Sequence, residues 1–148
     1  VSLRFTEAEL AAFERKRATQ PTVRDHVRLS LPMPPTVNHS TRPNGRGGKL
    51  LTDVHIAFRK AVGEAVLLAG SPKMGSGRLR VVIALQPADK RRMDLDNRIK
   101  ACLDALQLAG VFENDSQVDD LRIFRVPVAI PGQARAEVTI ERMRGVEG

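Results

Sequence analysis

Five apolar residues, Leu95, Ile99, Cys102, Leu103 and Leu106, recur at helical spacing between two β-rich runs, Leu79 to Leu85 and Val118 to Val128. The spacing predicts a helix that begins near Asp96 and ends before Gly110. A helix held between two strands points to an α/β fold more strongly than any other feature of the chain. Upstream, Val27, Leu29 and Leu31 alternate within His26 to Leu31, as the buried side of a strand does. Thr52 or Asp53 can cap a second helix reaching about Ala69, with Val54, Phe58, Ala61, Ala65 and Leu68 as its buried stripe. A last β-rich run, Ala134 to Arg142, follows the turn "IPGQ", most simply as an antiparallel hairpin with Val118 to Val128. The order β-α-β-α-β-β predicts one α/β domain over residues 26–148, a small mixed sheet flanked by helices.

Residues 1–25 read as an accessory extension. Thr6 is the expected N-cap of a helix ending near Ala18, Glu9 its reciprocal capping-box residue, and Phe5 with Leu10 a hydrophobic staple. "TQPTVRD" then reads as a linker. The stretch "PMPPTVNHSTRPNGRGGK" has four prolines and three glycines, so it is expected to lack regular structure. A loop this long in a compact domain is usually functional.

A chain of 148 residues can bury a core without staples. No apolar run approaches the ~20 residues needed to cross a bilayer, and no secretory segment is evident, so a cytoplasmic, membrane-free setting is expected. The single cysteine excludes an internal disulfide, and His26, His39 and His55 show no zinc spacing.

Charge is distributed unevenly. The net charge is +7 and the pI about 10.5, which suits a nucleic-acid partner. From His26 to Met93 twelve basic residues face three acidic ones, with Arg42, Arg46 and Lys49 in one loop and Lys90, Arg91 and Arg92 in another. From Asp94 to Asp120 the balance inverts: Asp94, Asp96, Asp104, Glu113, Asp115, Asp119 and Asp120 are opposed only by Arg98 and Lys100.

Asp94 and Asp96 stand two residues apart at a loop-to-helix junction and can point to one side. Lys100 lies one helical turn beyond Asp96. Asp115 comes from the connection after the helix. Three carboxylates brought together repel one another unless a cation lies among them, and oxygen-only ligands favour Mg²⁺ or Mn²⁺. Inside a phosphate-attracting surface, such a site suits phosphodiester hydrolysis, with Lys100 opposing charge on the phosphate. The plainer alternative stays open on spacing alone: Asp96, Lys100 and Asp104 as a solvated ion-pair stripe, and Asp115 as a turn residue. An EF-hand is excluded, because Ile99 and Ala105 stand where its Gly and Glu are required.

The segment "RRMDLDNRIKACLDALQLAGVFENDSQV" closely resembles the signature of the RusA family of Holliday-junction resolvases. That signature has a basic run, D-x-D-N, a lysine four residues after the second Asp, a D-A-L helix and an acidic D-x-Q-V loop. "LPMPPTVNH" is similar to the family's Pro-rich, Asn-containing loop after the first strand. The resemblance runs from about Val27 to Met143 and is specific from Arg91 to Val118; residues 1 to about 25 lie outside it. It implies a small homodimeric, Mg²⁺-dependent endonuclease, with Mn²⁺ able to substitute, that cuts four-way DNA junctions. By matched position, Asp94, Asp96 and Asp115 become the catalytic metal-binding carboxylates and Lys100 the catalytic lysine. Asn97, Asp104 and Asp120 become supporting candidates, while Glu113 and Asp119 are expected to be solvated. Arg42, Arg46, Lys49, Lys90, Arg91, Arg92 and Arg98 are the expected DNA contacts. Relatives often carry two acidic residues where this chain has Asn114-Asp115, which leaves Asp115 as the ligand there. Tyr and Trp are absent, so any aromatic wedge must be Phe. The competing readings are a nuclease for other branched or flap DNA and a non-catalytic DNA-binding protein.

Overall fold

The computed structural model describes residues 6–18, 23–37, 41–46 and 49–144, without the side chains of residues 13–18, 41, 42, 49 and 50. Helix α1 (Glu7–Ala18) starts as expected: the Glu9 amide donates to Thr6 Oγ1 at 3.2 Å, and Glu9 Oε2 accepts from the Thr6 amide at 2.7 Å. Phe5, and with it the staple, lies outside the described residues, as do residues 19–22 of the linker. The end of the linker docks on the body, the Arg24 amide donating to Lys73 O at 2.8 Å.

Strand β1 (His26–Pro32) is followed by two short strands, β2 (Thr41–Pro43) and β3 (Lys49–Leu51), paired antiparallel. The Pro-rich segment therefore does contain regular structure. The missed signal is Asn44-Gly45, since Asn-Gly is a strong hairpin cue. Gly45 takes φ 78°, and Asn44 Oδ1 accepts from the Arg46 amide at 2.8 Å.

Helix α2 (Asp53–Leu68) begins after Thr52, but it buries a different face from the one expected. His55, Phe58, Val62 and Val66 point inward, while Val54 and Leu68 are 65% and 90% exposed. The true stripe starts on a histidine, which tolerates burial because its Nε2 reaches Thr36 O at 2.9 Å.

Strand β4 (Leu79–Gln86) leads through a 3-10 turn (Asp96–Arg98) into α3 (Ile99–Leu108), then to β5 (Val118–Arg125) and β6 (Arg135–Arg142). The main sheet has the order β1-β6-β4-β5, with β4 and β5 parallel and the other pairs antiparallel. The predicted β5–β6 hairpin is not formed. Instead α3 is the crossover of a βαβ unit, and β6 inserts between β1 and β4. Burial accords with the choice: Ala136, Val138 and Ile140 of β6 are wholly enclosed, as suits a central strand. Strand β5 carries Asp119, Asp120, Arg122 and Arg125, and such charge suits an edge. It stops short of Val128 because the Val126 amide makes the last bond, to Leu85 O, and Pro127 has no N–H to offer.

One face of the sheet packs Val27, Leu29, Leu31, Val81, Ile83 and Leu85 against the two helices. Within α3, Cys102, Leu103 and Leu106 are buried as the spacing predicted, and Leu95 and Ile99 pack against the same core. Burial pushes the Cys102 thiol up to about 12, so it behaves as a small hydrophobe rather than a nucleophile. No helix among the described residues is long and apolar enough to cross a membrane.

Candidate active site

The βαβ topology decides where the acidic residues stand. Strand β4 delivers the chain to Asp94 and Asp96 at the N-terminal end of α3, which then runs back along the sheet. Asp115 follows its far end, in a 3-10 turn (Asp115–Gln117) just before β5. The Asp115 amide donates to Gln107 Oε1 at 3.0 Å, which fixes it beside the last turn of α3. Eleven residues separate Asp96 from Gln107, which corresponds to ~16 Å of helix. Within one chain the three carboxylates therefore do not meet. Among the described residues, no three His, Cys, Asp or Glu side chains are grouped so as to hold a metal ion.

The island sorts itself by partner. Asp104 accepts from Lys100 Nζ at 3.3 Å, so it engages the lysine one turn away. Asp120 lies between Arg80 Nε at 2.7 Å and Arg122 Nε at 3.4 Å, on the open face of the sheet. Bonds from Arg122 first, then Arg80, hold its carboxyl below the usual range. Asp119 is exposed, as expected, and is also forked by the Arg78 guanidinium, whose bonds likewise lower its carboxyl. Glu113 is exposed, as expected.

Asp94, Asp96 and Asp115 differ: none of them forms an ion pair among the described residues. Asp94 Oδ2 accepts a long bond, 3.4 Å, from Asn97 Nδ2. Asp94 and Asp96 are exposed and Asp115 is half-buried. As donors, these oxygens suit a hard divalent ion, and among the described residues only Arg98 pulls on one of them, Asp94, without forming an ion pair.

The basic loop before the site is shaped rather than slack. Asp89 accepts from the Arg91 amide at 3.0 Å and from Arg91 Nε at 2.9 Å. The Arg91 amide bond is the first cause of its lowered carboxyl. Arg125 on β5 donates to Arg91 O at 2.7 Å and Asp89 O at 2.9 Å. Lys90, Arg91 and Arg92 are left facing solvent. Arg46 is exposed on its hairpin; the side chains of Arg42 and Lys49 lie outside the described set. Arg98 turns inward, Nη1 donating to Pro34 O at 2.6 Å, and burial draws its guanidinium below the ordinary arginine value against the opposing pull of Asp94.

The profile of the family described as Endodeoxyribonuclease RusA matches residues 32–141. The chain belongs to the RusA family. It is 34% identical over 116 residues to the crossover junction endodeoxyribonuclease rusA of Enterobacteria phage HK97, covering 78% of this chain and 94% of that protein. It is 36% identical over 115 residues to the RusA protein of Escherichia coli K12, and 38% over 117 residues to that of Enterobacteria phage 82, each match covering 78% of this chain and 93% of the relative. Asp94, Asp96, Lys100 and Asp115 all fall within the RusA match, and α1 lies outside it.

Two supports of this candidate site escape sequence reasoning. Gln117, 5% exposed, uses its whole amide: Oε1 accepts from the Glu113 and Asn114 amides at 2.9 Å, and Nε2 donates to Gly75 O and Gly77 O at 2.8 Å. It anchors the turn bearing Asp115 to the turn before β4. A polar residue beside an acidic loop gives no hint of such burial. Replacing Gln117 with Leu leaves buried backbone groups unpaired, with an expected loss of about 2 kcal/mol or more. Urea denaturation checks this, and an unchanged midpoint would mean that the four bonds contribute nothing net. The second support is the strap at Met33–Val37, held to the α3 entrance by Arg98 and to α2 by His55.

Proposed function

We propose that this RusA-family chain is a Mg²⁺-dependent endodeoxyribonuclease that resolves four-way DNA junctions by paired phosphodiester hydrolysis, acting as a homodimer on intracellular DNA. The supporting observation is the state of Asp94, Asp96 and Asp115: in an island whose other aspartates are ion-paired, these three form no ion pair among the described residues and stand beside a basic loop. Because Asp96 and Asp115 belong to opposite ends of α3, a site that uses both draws them from two copies of the chain. An isologous two-fold pair then has two equal sites, which matches the two nicks that a junction with approximate two-fold symmetry requires.

The residues take distinct parts. Asp94, Asp96 and the partner copy's equivalent of Asp115 would hold Mg²⁺, with Mn²⁺ as a substitute. When bound, such an ion lowers the pKa of its water and stabilises a leaving oxygen. Asn97 orients Asp94. Lys100, 69% exposed and only loosely held by Asp104, opposes charge that develops on the phosphate. Lys90, Arg91 and Arg92 hold the strand by its backbone, a contact independent of sequence. Of the Phe side chains described, Phe58 and Phe112 are buried and Phe124 on β5 is 45% exposed, so among these Phe124 is the one available to DNA.

The test compares a synthetic four-way junction, a flap and a linear duplex, each with Mg²⁺ and with EDTA. Symmetric paired nicks on the junction alone, abolished by EDTA, are the expected result. Equal cutting of the flap would favour a general branched-DNA nuclease, and binding without any cutting a non-catalytic protein.

A further inference from the structure

The groove between α2 and α3 holds a cation that the scheme above does not use. Arg59 shares a face of α2 with His55, four residues away. It is half-buried, yet among the described residues no hydrogen bond or ion pair engages its guanidinium. It lines a pocket of about 220 Å³ with Lys100, Asp104 and His55, walled by Val37 and Leu51. A second hollow of about 400 Å³ continues from Arg59 and Asp104 toward Glu113.

The charges in the first pocket do not cancel. Asp104 is engaged by Lys100 at 3.3 Å, and the His55 Nε2 is committed to Thr36 O. Among the described residues, that leaves the Arg59 charge without a counter-ion. A guanidinium cannot shed its proton, and charges withdrawn from water are normally paired. Its planar fork matches two oxygens of a phosphate. The acidic hollow near Glu113 repels an anion, so the pocket beside Lys100 is the place for one.

We infer that Arg59 is a phosphate clamp: its fork grips a phosphodiester of the DNA strand, next to the phosphate that Lys100 serves. The inference rests on the nuclease reading only in taking the anion to be DNA. The full-length protein, its Arg59→Gln variant and its Arg59→Lys variant are titrated in EDTA with a four-way junction and with a linear duplex, across a range of salt. Arg59→Gln is expected to bind about 10-fold more weakly, and its slope of log affinity against log salt is expected to shrink by about 0.9. Arg59→Lys keeps the point charge and loses the fork, so it restores the slope and only part of the affinity. Matching far-UV spectra and melting curves show that the variants fold. An unchanged salt slope in Arg59→Gln, whether or not affinity falls, overturns the clamp. Equal binding of junction and duplex by the wild type would sink the junction reading alone, because the slope on the duplex still decides the clamp.

Discussion

Asp94→Asn and Asp96→Asn are each expected to slow junction cleavage by at least ~10³-fold, a barrier increase of about 4 kcal/mol, while junction binding stays within about threefold. The asymmetry follows from what each side chain touches. Both carboxylates are exposed and neither is ion-paired among the described residues, so an amide of the same shape removes no packing and no salt bridge. The melting temperature should therefore stay close to wild type, the one contact weakened being the pull of Asp94 on Arg98. The loss falls on chemistry that needs anionic oxygen to hold a divalent ion. Asp104→Asn is the matched control. Its carboxylate only holds Lys100 in a surface pair, a contact generally worth less than about 1 kcal/mol, so cleavage should fall by less than about tenfold. Single-turnover rates on one labelled junction compare all three. A Asp94→Asn protein as fast as wild type would remove that residue from the site.

The sequence made the elements legible and the assembly much less so. Helix α3 was visible because Cys102, Leu103 and Leu106 repeat at its period, and β1 because Val27, Leu29 and Leu31 alternate. Periodicity reports which residues share a face, but it does not say which strand lies beside which. The same apolar alternation that identified β6 is compatible with a hairpin on β5 and with insertion between β1 and β4. The charges of β5 were the clue that it would take the edge. On α2 the stripe was placed correctly at Phe58 and out of register elsewhere, and it left out His55, whose bond to Thr36 O lets it sit in the core.

The site shows the same division. Residue type and spacing picked out Asp94, Asp96, Lys100 and Asp115, and the paired state of Asp104 was foreseen. Asp119 was not, because its partner Arg78 is 41 residues away in the chain and comes alongside only once β4 and β5 pair. Gln117 was legible as a letter of a motif and not as a buried four-bond anchor. The separation of Asp96 from Asp115 was hidden as well: 19 residues in sequence say nothing about distance until α3 is known to lie straight between them.

That separation makes the central claim testable in one measurement. Asp96→Asn and Asp115→Asn chains, each inactive alone, are unfolded together, refolded as a mixture and assayed for nicking of a four-way junction with Mg²⁺. If each site takes Asp96 from one copy and Asp115 from the other, a mixed pair carries both substitutions in one site and leaves the second intact. Random assortment then restores nicking to about a quarter of the wild-type level, as single nicks without the paired cut. If each site belongs to one chain, every site in the mixture keeps one substitution, and the mixture stays as inactive as its parents. Recovery is the result predicted; continued inactivity in a mixture shown to contain mixed dimers would contradict a site shared between two copies.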